Sequence, residues 1–428
     1  MPSSTKSSRM CPQMHSRRVD SEYRDKTVCV TGATGGIGAR LVEKLTLEHG
    51  ARVRVLVRNL TRAPRVARLP VDLVCGDVNN AEETARAIQG CDVVMHCAYG
   101  GGGGDVEAHR RTNVGGTENV LAGCRRQGAR LVHVSTCRVY GMQAPDGDLD
   151  ETSPYRASGV AYADSKLDAE KMVFDWHRRY GMPVAVIQPT TVFGPFVQVW
   201  TMAYMKMLSR FRPILVDHGA GVCNAVYVDD VVDAMLLAGV REEAVGENFL
   251  ISANEPISWA QFHDAFAALL GAPPGVPMSR HDALAYYNSA ESGEKPQSLL
   301  RELPAIWHEE VGFRKRVSAT LEYRTLRNVK RRLVPKRRAA FKPARGSVKP
   351  RPESTEAQPL PVRPLTPAEV DFFAGRTRFR IDKAKRLLGY EPQFEFERGM
   401  EMVAAWARWA DLAPAAQAKT LKDLSQAG

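Results

Sequence analysis

The chain has 428 residues, of which 44% are apolar and 25% are charged, and its formal net charge is +11. This composition predicts a globular protein with one large or two medium domains, and no apolar run approaches the roughly 20 residues that span a bilayer. The eight cysteines show no C-x-x-C pair or metal-ligand spacing, so we expect reduced thiols, no metal site and a cytoplasmic location.

Both ends of the chain and one internal segment differ from the rest. Residues 1–24 are polar without the apolar core of a secretory signal, which predicts a disordered tail, and 413–428 is interpreted as a second tail. Residues 314–351 hold fifteen Lys or Arg and one acid, which leaves the remainder of the chain at a net charge of −3. The sequence therefore describes a nearly neutral body that carries one basic insertion.

The first predicted strand leads into a glycine-rich turn. Val28 to Val30 is a short apolar run typical of a buried parallel strand, and a helical pattern with Ile37 and Leu41 on one face begins soon after it. Three glycines lie between them at a spacing of three: Gly32, Gly35 and Gly38. Side chains in such a turn would hold the backbone away from a pyrophosphate, and a helix N-terminus offers free N–H groups. We expect a dinucleotide to bind here; an ordinary strand-to-helix loop is the alternative.

Strands and helices alternate through the first half of the chain. Apolar runs predict further strands at 52–57, 71–75, 92–98, 131–135 and 184–187, and helical patterns predict helices at 81–89, 105–126 and 162–180. This alternation indicates an α/β fold with a parallel sheet covered on both faces, whose ligand lies at the carboxyl ends of the strands. Those ends are Gly32, Arg58, Asp77, Ala98, Ser135 and Gln188.

Beyond Pro189 the alternation loosens, as expected for a smaller second lobe. Ser258 predicts the N-cap of a helix that ends near Leu270, and residues 272–312 are ambiguous. Apolar residues recur in multiples of four over 313–334 among basic ones, which predicts a basic amphipathic helix. The Pro-rich stretch 335–367 indicates a linker, and we expect order to return at Thr377.

Tyr162 and Lys166 lie one helical turn apart and are candidates for acid–base chemistry. A fixed cation favours phenolate, so we expect Lys166 to lower the pKa of Tyr162 from its ordinary value near 10. Thr136, just past the fifth strand, supplies a hydroxyl for the same substrate oxygen. A loop-capping role is the alternative for Thr136.

Several motifs together point to one family: Gly32-x-x-Gly35-x-x-Gly38, residues 111–117, Ser135-Thr-Cys-Arg-Val-Tyr-Gly141, Tyr162-x-x-x-Lys166, Pro189-Thr-Thr-Val-Phe-Gly-Pro195, Tyr227-Val-Asp-Asp230, and Leu388-Gly-Tyr-Glu-Pro392 with Trp406. They resemble the extended short-chain dehydrogenase/reductase family of the NAD(P)-dependent epimerase/dehydratase type, over about 26–270 and 377–410. The resemblance implies a doubly wound Rossmann domain at 25–190, to which 224–252 returns. It also implies a substrate lobe from 191–223, 253–312 and 377–412, with 313–376 as the basic insertion and linker.

The resemblance also implies roles for individual residues. The implied catalytic residues are Thr136, Tyr162 and Lys166, and the implied NAD(P)-binding residues are Gly32, Gly35, Gly36, Ile37, Gly38, Arg58, Asp77, Val78, Ala98, Asn113, Tyr162, Lys166 and Pro189. Lys166 would hold the nicotinamide ribose, Asp77 would contact the adenine, and Asn113 would support the active-site backbone. The family often pairs through a helix bundle, so a homodimer is one expectation.

Departures from the family pattern narrow the activity. Sugar 4,6-dehydratases of the family carry Asp-Glu after the active-site Thr, whereas this chain has Cys137 and Arg138, so we expect no such dehydratase. The segment 221–227 lacks the arginine that usually holds the diphosphate of a nucleotide sugar. Arg58 stands where an NAD-specific fold places an acid, and it can bind a 2′-phosphate. Arg62 lies close enough in sequence to assist, so NADP is favoured over NAD.

These observations predict hydride transfer between a nicotinamide cofactor and a carbinol or carbonyl carbon, with Tyr162 exchanging the hydroxyl proton. The substrate is interpreted as a sterol-like or flavonol-like molecule, converted by a reductase or dehydrogenase that exchanges its cofactor. The other interpretation is a sugar nucleotide, converted by an epimerase that retains NAD. A nucleotide-binding scaffold or sensor is the alternative of another class. For 313–352 the interpretations are a solvated insertion or contact with an anionic membrane, and nucleic acid is disfavoured because the segment has few aromatic residues.

Overall fold

The computed structural model describes residues 22–100, 106–141, 146–293 and 360–414. The chain divides into two compact units, one of residues up to Leu284 together with those from Pro361, and one of Ala285–Leu360. Of the second unit, only residues 285–293 and residue 360 belong to the described ranges. The predicted basic helix, most of the predicted linker and the greater part of both predicted tails lie outside the described residues.

A seven-stranded parallel sheet forms the centre of the first unit. With strands numbered in chain order, its members are β1 (Thr27–Thr31), β2 (Arg52–Val57), β3 (Asp72–Cys75), β4 (Val93–His96), β5 (Arg130–Val134), β7 (Val184–Pro189) and β12 (Glu247–Ile251). Their order is β12-β7-β5-β4-β1-β2-β3, and every neighbouring pair is parallel. The order reverses between β1 and β4, which is the switch point where such sheets bind ligands. The predicted doubly wound α/β fold is confirmed.

Helices cover both faces of the sheet. They are α1 (Gly36–Leu47), α2 (Pro64–Ala67), α3 (Ala81–Ile88), α4 (Val106–Arg110), α5 (Gly116–Gln127), α6 (Ala161–Tyr180) and α8 (Val228–Val240). Apolar residues of α1 and α8 share a core with one face, while α3, α5 and α6 pack on the other. The single helix predicted over 105–126 is interrupted by a π-helical turn at Arg111–Gly115, between α4 and α5.

Local sequence explains where these helices begin and end. The side chain of Asn80 accepts hydrogen bonds from two amides of the first turn of α3, and Glu82 and Glu83 lie in that turn, where acids complement the helix dipole. Helices α5 and α6 both end at a left-handed glycine, Gly128 and Gly181, as is common because glycine has no Cβ.

The remaining described elements of the first unit form the second lobe and its connections. Its helices are α7 (Tyr204–Leu208), α9 (Trp259–Leu270), the start of α10 (Arg280–Gly293), α11 (Pro367–Ala374), α12 (Asp382–Leu388) and α13 (Phe396–Trp409). Strand β9 (Arg212–Val216) lies between β14 (Val276–Met278) and β15 (Val362–Arg363) in a three-stranded sheet. The other described strands form two-stranded sheets: β6 (Gly147–Leu149) with β16 (Thr377–Phe379), β8 (Thr191–Phe193) with β11 (Ala225–Tyr227), and β10 (Val222–Cys223) with β13 (Ile257–Ser258). The predicted N-cap Ser258 is confirmed and forms a capping box with Gln261.

Two predicted boundaries are wrong. Order returns before Thr377, because Thr366 caps α11 through a capping box with Glu369, and Leu365 and Val370 are buried against the lobe. The Pro-rich composition hid this helix, although proline is well tolerated in a first helical turn. The predicted N-terminal tail also extends too far, since the Tyr23 ring is fully buried and its hydroxyl donates to the Leu236 carbonyl.

Two glycines of the β1–α1 turn allow its close packing. Gly32 has φ +69°, and a Cβ there would lie 2.6 Å from the carbonyl carbon of Cys97. A Cβ at Gly38 would lie 2.4 Å from the carbonyl oxygen of Gly32. Helix α1 therefore approaches the end of β1 as closely as the backbone allows, and a side chain at either position would force the two apart.

The crowding at Gly38 generates a prediction about stability. Gly38→Ala should lower the free energy of unfolding by about 1–3 kcal/mol, the usual effect of overpacking, as measured by urea unfolding. Gly115→Ala is the matched control, because Gly115 has helical dihedral angles and open space around its missing Cβ. That variant should be as stable as the wild type or slightly more stable. Equal stability of the two variants would contradict the packing argument.

Candidate active site

The N-terminus of α1 is open to an anion. The N-cap residue Gly35 makes no side-chain cap, and no acid lies in the first turn. Gly36 opens the helix, and a Cβ there would lie 2.9 Å from the Cα of Val197. Ile37 is the next helical residue and is half-buried. Backbone N–H groups and the positive end of the helix dipole thus point into the turn, which suits a pyrophosphate.

A cleft of about 270 Å³ lies among residues that follow β2, β3 and β4 at the carboxyl edge of the sheet. It is lined by Arg58, Asp77, Asn79, Gly100, Ala108, His109, Arg111 and Thr112. The Arg58 guanidinium lies 3.8 Å from the Asp77 carboxylate, while the Asp77 backbone N–H donates to Glu83 at 2.7 Å. Val78 is buried behind the cleft, and its carbonyl accepts a hydrogen bond from Asn119. The crowded glycine turn, the uncapped helix and this cationic cleft fit an NAD(P) dinucleotide.

Two further predicted cofactor residues lie at the ends of central strands. The Ala98 N–H, just past β4, donates to the Thr31 hydroxyl at 3.3 Å, which fixes the edge of the β1–β4 switch point. Pro189 is the buried last residue of β7 and pairs with Ile251 of β12. Both residues therefore border the same carboxyl edge of the sheet as the glycine turn.

Thr136 and Tyr162 are brought together by the end of β5 and the start of α6. Burial raises the pKa of Tyr162 to about 12, and the neighbouring Tyr99 adds to the rise. The Thr136 hydroxyl and the Arg138 charge lie near enough to the phenol to oppose this rise. The prediction that Lys166 would lower this pKa is therefore wrong for the structure as it stands, because burial rather than a neighbouring ammonium dominates.

Lys166 points instead toward the sheet. Its side chain is 3% exposed, and its Nζ donates to the Val134 carbonyl of β5 at 2.7 Å. Burial lowers the pKa of Lys166 to about 8, against the opposing effects of Cys97 and the nearby acid Glu170. A lysine with a pKa so close to neutrality exchanges protons readily.

Asn113 lies in the π-helical turn between α4 and α5 and connects two parts of the site. Its amide nitrogen donates to the Ser165 hydroxyl at 2.9 Å, and its carbonyl oxygen accepts from the Gly100 N–H at 2.8 Å. Ser165 stands between Tyr162 and Lys166 on α6. Asn113 therefore connects Gly100, the first residue of the five-glycine run, to the start of α6.

Sequence reasoning missed Glu170, which is fully buried one helical turn beyond Lys166. Its carboxylate accepts hydrogen bonds from Ser135, from Tyr155 at 2.6 Å and from Gln188 at 2.6 Å. Burial raises the pKa of Glu170, although these hydrogen bonds oppose the rise. The spacing from Tyr162 to Lys166 to Glu170 places all three on one helix face, a signal that was present in the sequence.

A pair of buried histidines was also missed. His96 of β4 lies opposite His133 of β5, with ring centroids 5.3 Å apart. The Nδ1 of His96 is 2.6 Å from the Thr31 hydroxyl, and its Nε2 is 3.1 Å from the Thr117 hydroxyl. Burial lowers the pKa of His96 to about 3, and it lowers that of His133 as well. Only the strand order brings these residues together, so sequence alone gave no signal for the pair.

Among the described residues, no group of three or more His, Cys, Asp or Glu side chains is arranged to hold a metal ion. In the same part of the chain, no helix has the length and apolar character needed to cross a membrane.

Comparison with known proteins identifies related chains. The model of the NAD dependent epimerase/dehydratase family matches residues 28–252. A putative dihydroflavonol 4-reductase from Synechocystis sp. is 29% identical over 331 residues, covering 66% of this chain and 95% of that protein. A 2-alkyl-3-oxoalkanoate reductase from Shewanella oneidensis is 30% identical, covering 57% of this chain and 66% of that protein. A dTDP-glucose 4,6-dehydratase from Mycobacterium tuberculosis is 31% identical, covering 52% of this chain and 71% of that protein.

Solved structures share the fold. The structure of an epimerase from Methanothermobacter thermautotrophicus matches with a TM-score of 0.65 at 21% identity. The match covers 94% of this chain and 98% of that chain. This likeness extends to the arrangement of the sheet, and at such identity it bears on the fold alone.

The buried His96 generates a prediction about pH. Its folded pKa lies far below the ordinary value of about 6.5, so the stability gained by keeping it neutral is complete above that value and is lost as the pH falls. His96 should therefore lower the free energy of unfolding by up to about 1.4 kcal/mol for each pH unit from about pH 7 to about pH 5. The raised pKa values of the buried carboxyls Glu170 and Asp230 oppose this contribution. His96→Asn should make this slope shallower, as measured by urea unfolding at several pH values.

The exposed His281 provides the control for this experiment. His281→Asn should leave the slope as steep as in the wild type. A His96→Asn variant with the wild-type slope would show that His96 is not the buried neutral group inferred from its contacts.

Proposed function

The chain belongs to the NAD-dependent epimerase/dehydratase family, and from that premise we propose that it is an NADP(H)-dependent oxidoreductase acting on a carbinol or carbonyl group. The observation that carries this proposal is that Thr136 and Tyr162 lie close enough for the Thr136 hydroxyl to lower the pKa of the phenol. The pair lies at the same carboxyl edge of the sheet as the glycine turn. A substrate oxygen held by the pair would face the nicotinamide of a dinucleotide bound along that edge.

The bound cofactor supplies or accepts a hydride at C4 of the nicotinamide. Thr136 and Tyr162 would hold the substrate oxygen, and Tyr162 would exchange a proton with it. A phenol whose pKa is about 12 keeps its proton at neutral pH, which suits donation to a carbonyl oxygen that is gaining negative charge. Lys166, with its pKa near 8, would then pass protons to and from this part of the site.

Two arginines of the cleft support NADP over NAD. Arg58 follows β2, where an acid would otherwise bind the adenosine ribose hydroxyls, and Arg111 lines the same cleft. A guanidinium matches the geometry of a phosphate and forms charge-assisted hydrogen bonds with it. Arg58 is mostly exposed, so it can turn from Asp77 toward a 2′-phosphate at little cost.

Residues next to Thr136 support a reductase or dehydrogenase rather than a 4,6-dehydratase. Dehydration needs an additional acid and base beside the hydroxyl pair, and here the two positions hold Cys137 and Arg138. This distinction matters because one relative is named a dTDP-glucose 4,6-dehydratase. Two others are named reductases.

An epimerase that retains NAD would use the same hydroxyl pair, and a non-catalytic scaffold would need none of it. The segment 221–227 contains no arginine to hold a nucleotide-sugar diphosphate. Thr136, Tyr162 and Lys166 are all present and positioned at one edge of the sheet. We therefore favour turnover with exchange of the cofactor between reaction cycles.

The role of Tyr162 can be tested by removing its hydroxyl. Tyr162→Phe should keep the fold and NADPH binding but lower turnover by roughly 10²–10⁴-fold, the usual contribution of a general acid. NADPH oxidation would be followed with a panel of dihydroflavonols, 3-oxo acids and sterol ketones. The exposed Tyr180 at the far end of α6 is the control, and Tyr180→Phe should keep full activity. Undiminished turnover by the Tyr162 variant would exclude the assignment.

Cofactor choice can be tested at Arg58. Loss of a charge-assisted hydrogen bond costs about 1.5–3 kcal/mol, so Arg58→Ala should weaken NADPH binding by roughly 10–150-fold. NADH binding should barely change, and titration calorimetry with both cofactors gives the comparison. Arg52→Ala, at the opposite end of β2, is the control and should leave both affinities unchanged. Equal losses for NADPH and NADH in the Arg58 variant would mean that Arg58 does not contact the 2′-phosphate.

A further inference from the structure

One buried acid, Glu170, has no part in the hydride and proton transfers proposed for the site. It is fully buried, and its carboxylate accepts hydrogen bonds from the Ser135 hydroxyl, from the Tyr155 hydroxyl at 2.6 Å and from the Gln188 amide at 2.6 Å. Tyr155 and Gln188 share Oε1, while Ser135 contacts Oε2. Because both oxygens accept hydrogen bonds from donors, the surroundings of Glu170 suit a carboxylate rather than a carboxylic acid.

Glu170 lies one helical turn beyond Lys166 on α6, and both side chains reach the end of β5. Residues four apart on a helix have Cβ atoms about 5–6 Å from each other. The Nζ of Lys166 donates to the carbonyl of Val134, and Glu170 accepts from Ser135, the next residue. The ammonium and the carboxylate are thus held at consecutive residues, and 3% of Lys166 and 0% of Glu170 is exposed. Bulk water is excluded from both groups, so it screens the two charges weakly.

Glu170 is the acid that can determine the charge of Lys166. Burial lowers the pKa of Lys166 to about 8, and Cys97 and Glu170 oppose this effect. Burial raises the pKa of the Cys97 thiol to about 12, so this thiol is uncharged at the pH where Lys166 titrates. His96 and His133 are neutral at that pH as well, because burial lowers their pKa values. Of these groups in the described part of the chain, Glu170 alone can place a negative charge beside the ammonium.

The same contacts act on the charge of Glu170 itself. Burial raises the pKa of its carboxyl, whereas its three hydrogen-bond donors and the Lys166 charge oppose this rise. Two phenols lie near the carboxylate, those of Tyr140 and Tyr155. Burial and the Glu170 charge raise the pKa of each phenol, so both keep their protons and Tyr155 remains a donor.

We propose that Glu170 is a positioning residue whose fixed negative charge keeps the buried Lys166 in its ammonium form at neutral pH. The inference rests on the proposed function only for the purpose that the ammonium serves, because the pairing itself is a property of the resting protein. Without the acid, burial would leave Lys166 as a neutral amine near pH 7. A neutral amine is too weak an acid to return a proton to the Tyr162 phenolate after each reduction.

The proton transfers balance while Glu170 stays ionised. After Tyr162 has given its proton to the substrate oxygen, an N–H bond of the Lys166 ammonium breaks and the proton forms a new O–H bond on the phenolate. Lys166 becomes a neutral amine, and Glu170 is left as a buried anion without a cation beside it. Such an uncompensated charge is costly, so the amine readily takes up a proton from solvent. Glu170 thereby favours the return of Lys166 to the ammonium form and exchanges no proton itself.

Glu170→Gln removes the charge and preserves the hydrogen bonds. The amide oxygen can accept from Tyr155 and Gln188 as Oε1 does now, and the amide nitrogen can donate to the Ser135 hydroxyl, which is able to accept. Asp168→Asn is the matched control, since Asp168 lies on the same helix but is exposed and ion-paired at the surface. This control removes an equal charge from a position that solvent screens.

NMR can follow the charge of Lys166 without turnover. In protein isotopically labelled at the Cε of lysine, the Lys166 signal is the one missing from Lys166→Met, and its chemical shift reports loss of the proton. The wild type should titrate near pH 8, because the pKa of Lys166 is about 8. Glu170→Gln should titrate about 1–2 pH units lower, as expected for loss of an adjacent opposite charge. Asp168→Asn should match the wild type, and Glu170→Asp should stay closer to it than Glu170→Gln. An unchanged midpoint in Glu170→Gln would overturn the proposal.

The wild type provides a second measurement in case Glu170→Gln does not fold. With glutamate labelled at its carboxyl carbon, the Glu170 signal is the one missing from Glu170→Asp. Its chemical shift should be that of an ionised carboxylate at pH 8. A protonated Glu170 at that pH would contradict the proposal.

Turnover separates this proposal from the proposed function. With NADPH and a ketone that the wild type reduces, Glu170→Gln should lower kcat by roughly 5–50-fold at pH 8 and by much less at pH 6. An equal loss at every pH would indicate a structural role and overturn the proposal. A shifted Lys166 titration without NADPH oxidation by the wild type would overturn the reductase and leave the pairing of Glu170 with Lys166 standing. NADPH oxidation by the wild type together with an unshifted Lys166 in Glu170→Gln would do the reverse.

Discussion

The candidate site depends on two ionisable side chains, Lys166 and Glu170, which are buried away from water on one face of α6. The two residues lie a turn apart. Lys166 donates to Val134, the last residue of β5, and Glu170 accepts from Ser135, the residue after it. Leaving either without those partners would cost more than the hydrogen bonds themselves contribute. These contacts fix the register between α6 and the end of β5, and that register sets where Tyr162 lies relative to Thr136. The two histidines beside Lys166 extend the same polar layer in neutral form.

Much of the fold could be predicted because its signals are local. The apolar runs and the glycine spacing near Gly32 gave the order of strands, turn and helix, and a parallel sheet then brings the strand ends together. The Tyr162-to-Lys166 spacing likewise follows from helix geometry. Where the prediction concerned what a side chain contacts across the sheet, as with the pKa of Tyr162, local sequence was insufficient. Burial by other parts of the chain raises the pKa of Tyr162, whereas the sequence had predicted a lowered value.

The second lobe was the less predictable half, for a related reason. Helix α11 is preceded and opened by prolines and follows a long basic segment, so its composition resembles a linker. That this stretch forms a helix depends on its capping box and on the burial of Leu365 and Val370 against residues from elsewhere in the chain. Phe372 of α11, whose ring lies under the Arg138 guanidinium, is separated from that arginine by more than half of the sequence. Contacts of this kind are assembled by tertiary structure, so the periodicity of the sequence does not reveal them.

The three-stranded sheet of the second lobe bears on how the basic segment is tolerated. Strands β14 and β15, which precede and follow the unit Ala285–Leu360, pair with the two sides of the same strand, β9. The pairing with β9 thus holds β14 and β15 close together, although the whole segment between them separates them in sequence. For any flexible loop that joins two such points, each doubling of the loop's length costs only about 0.6 kcal/mol, because loop-closure entropy grows with the logarithm of length. Strand β9 therefore acts as a common anchor, and the spacing between its two partner strands is set by backbone hydrogen bonds rather than by the connection that joins them.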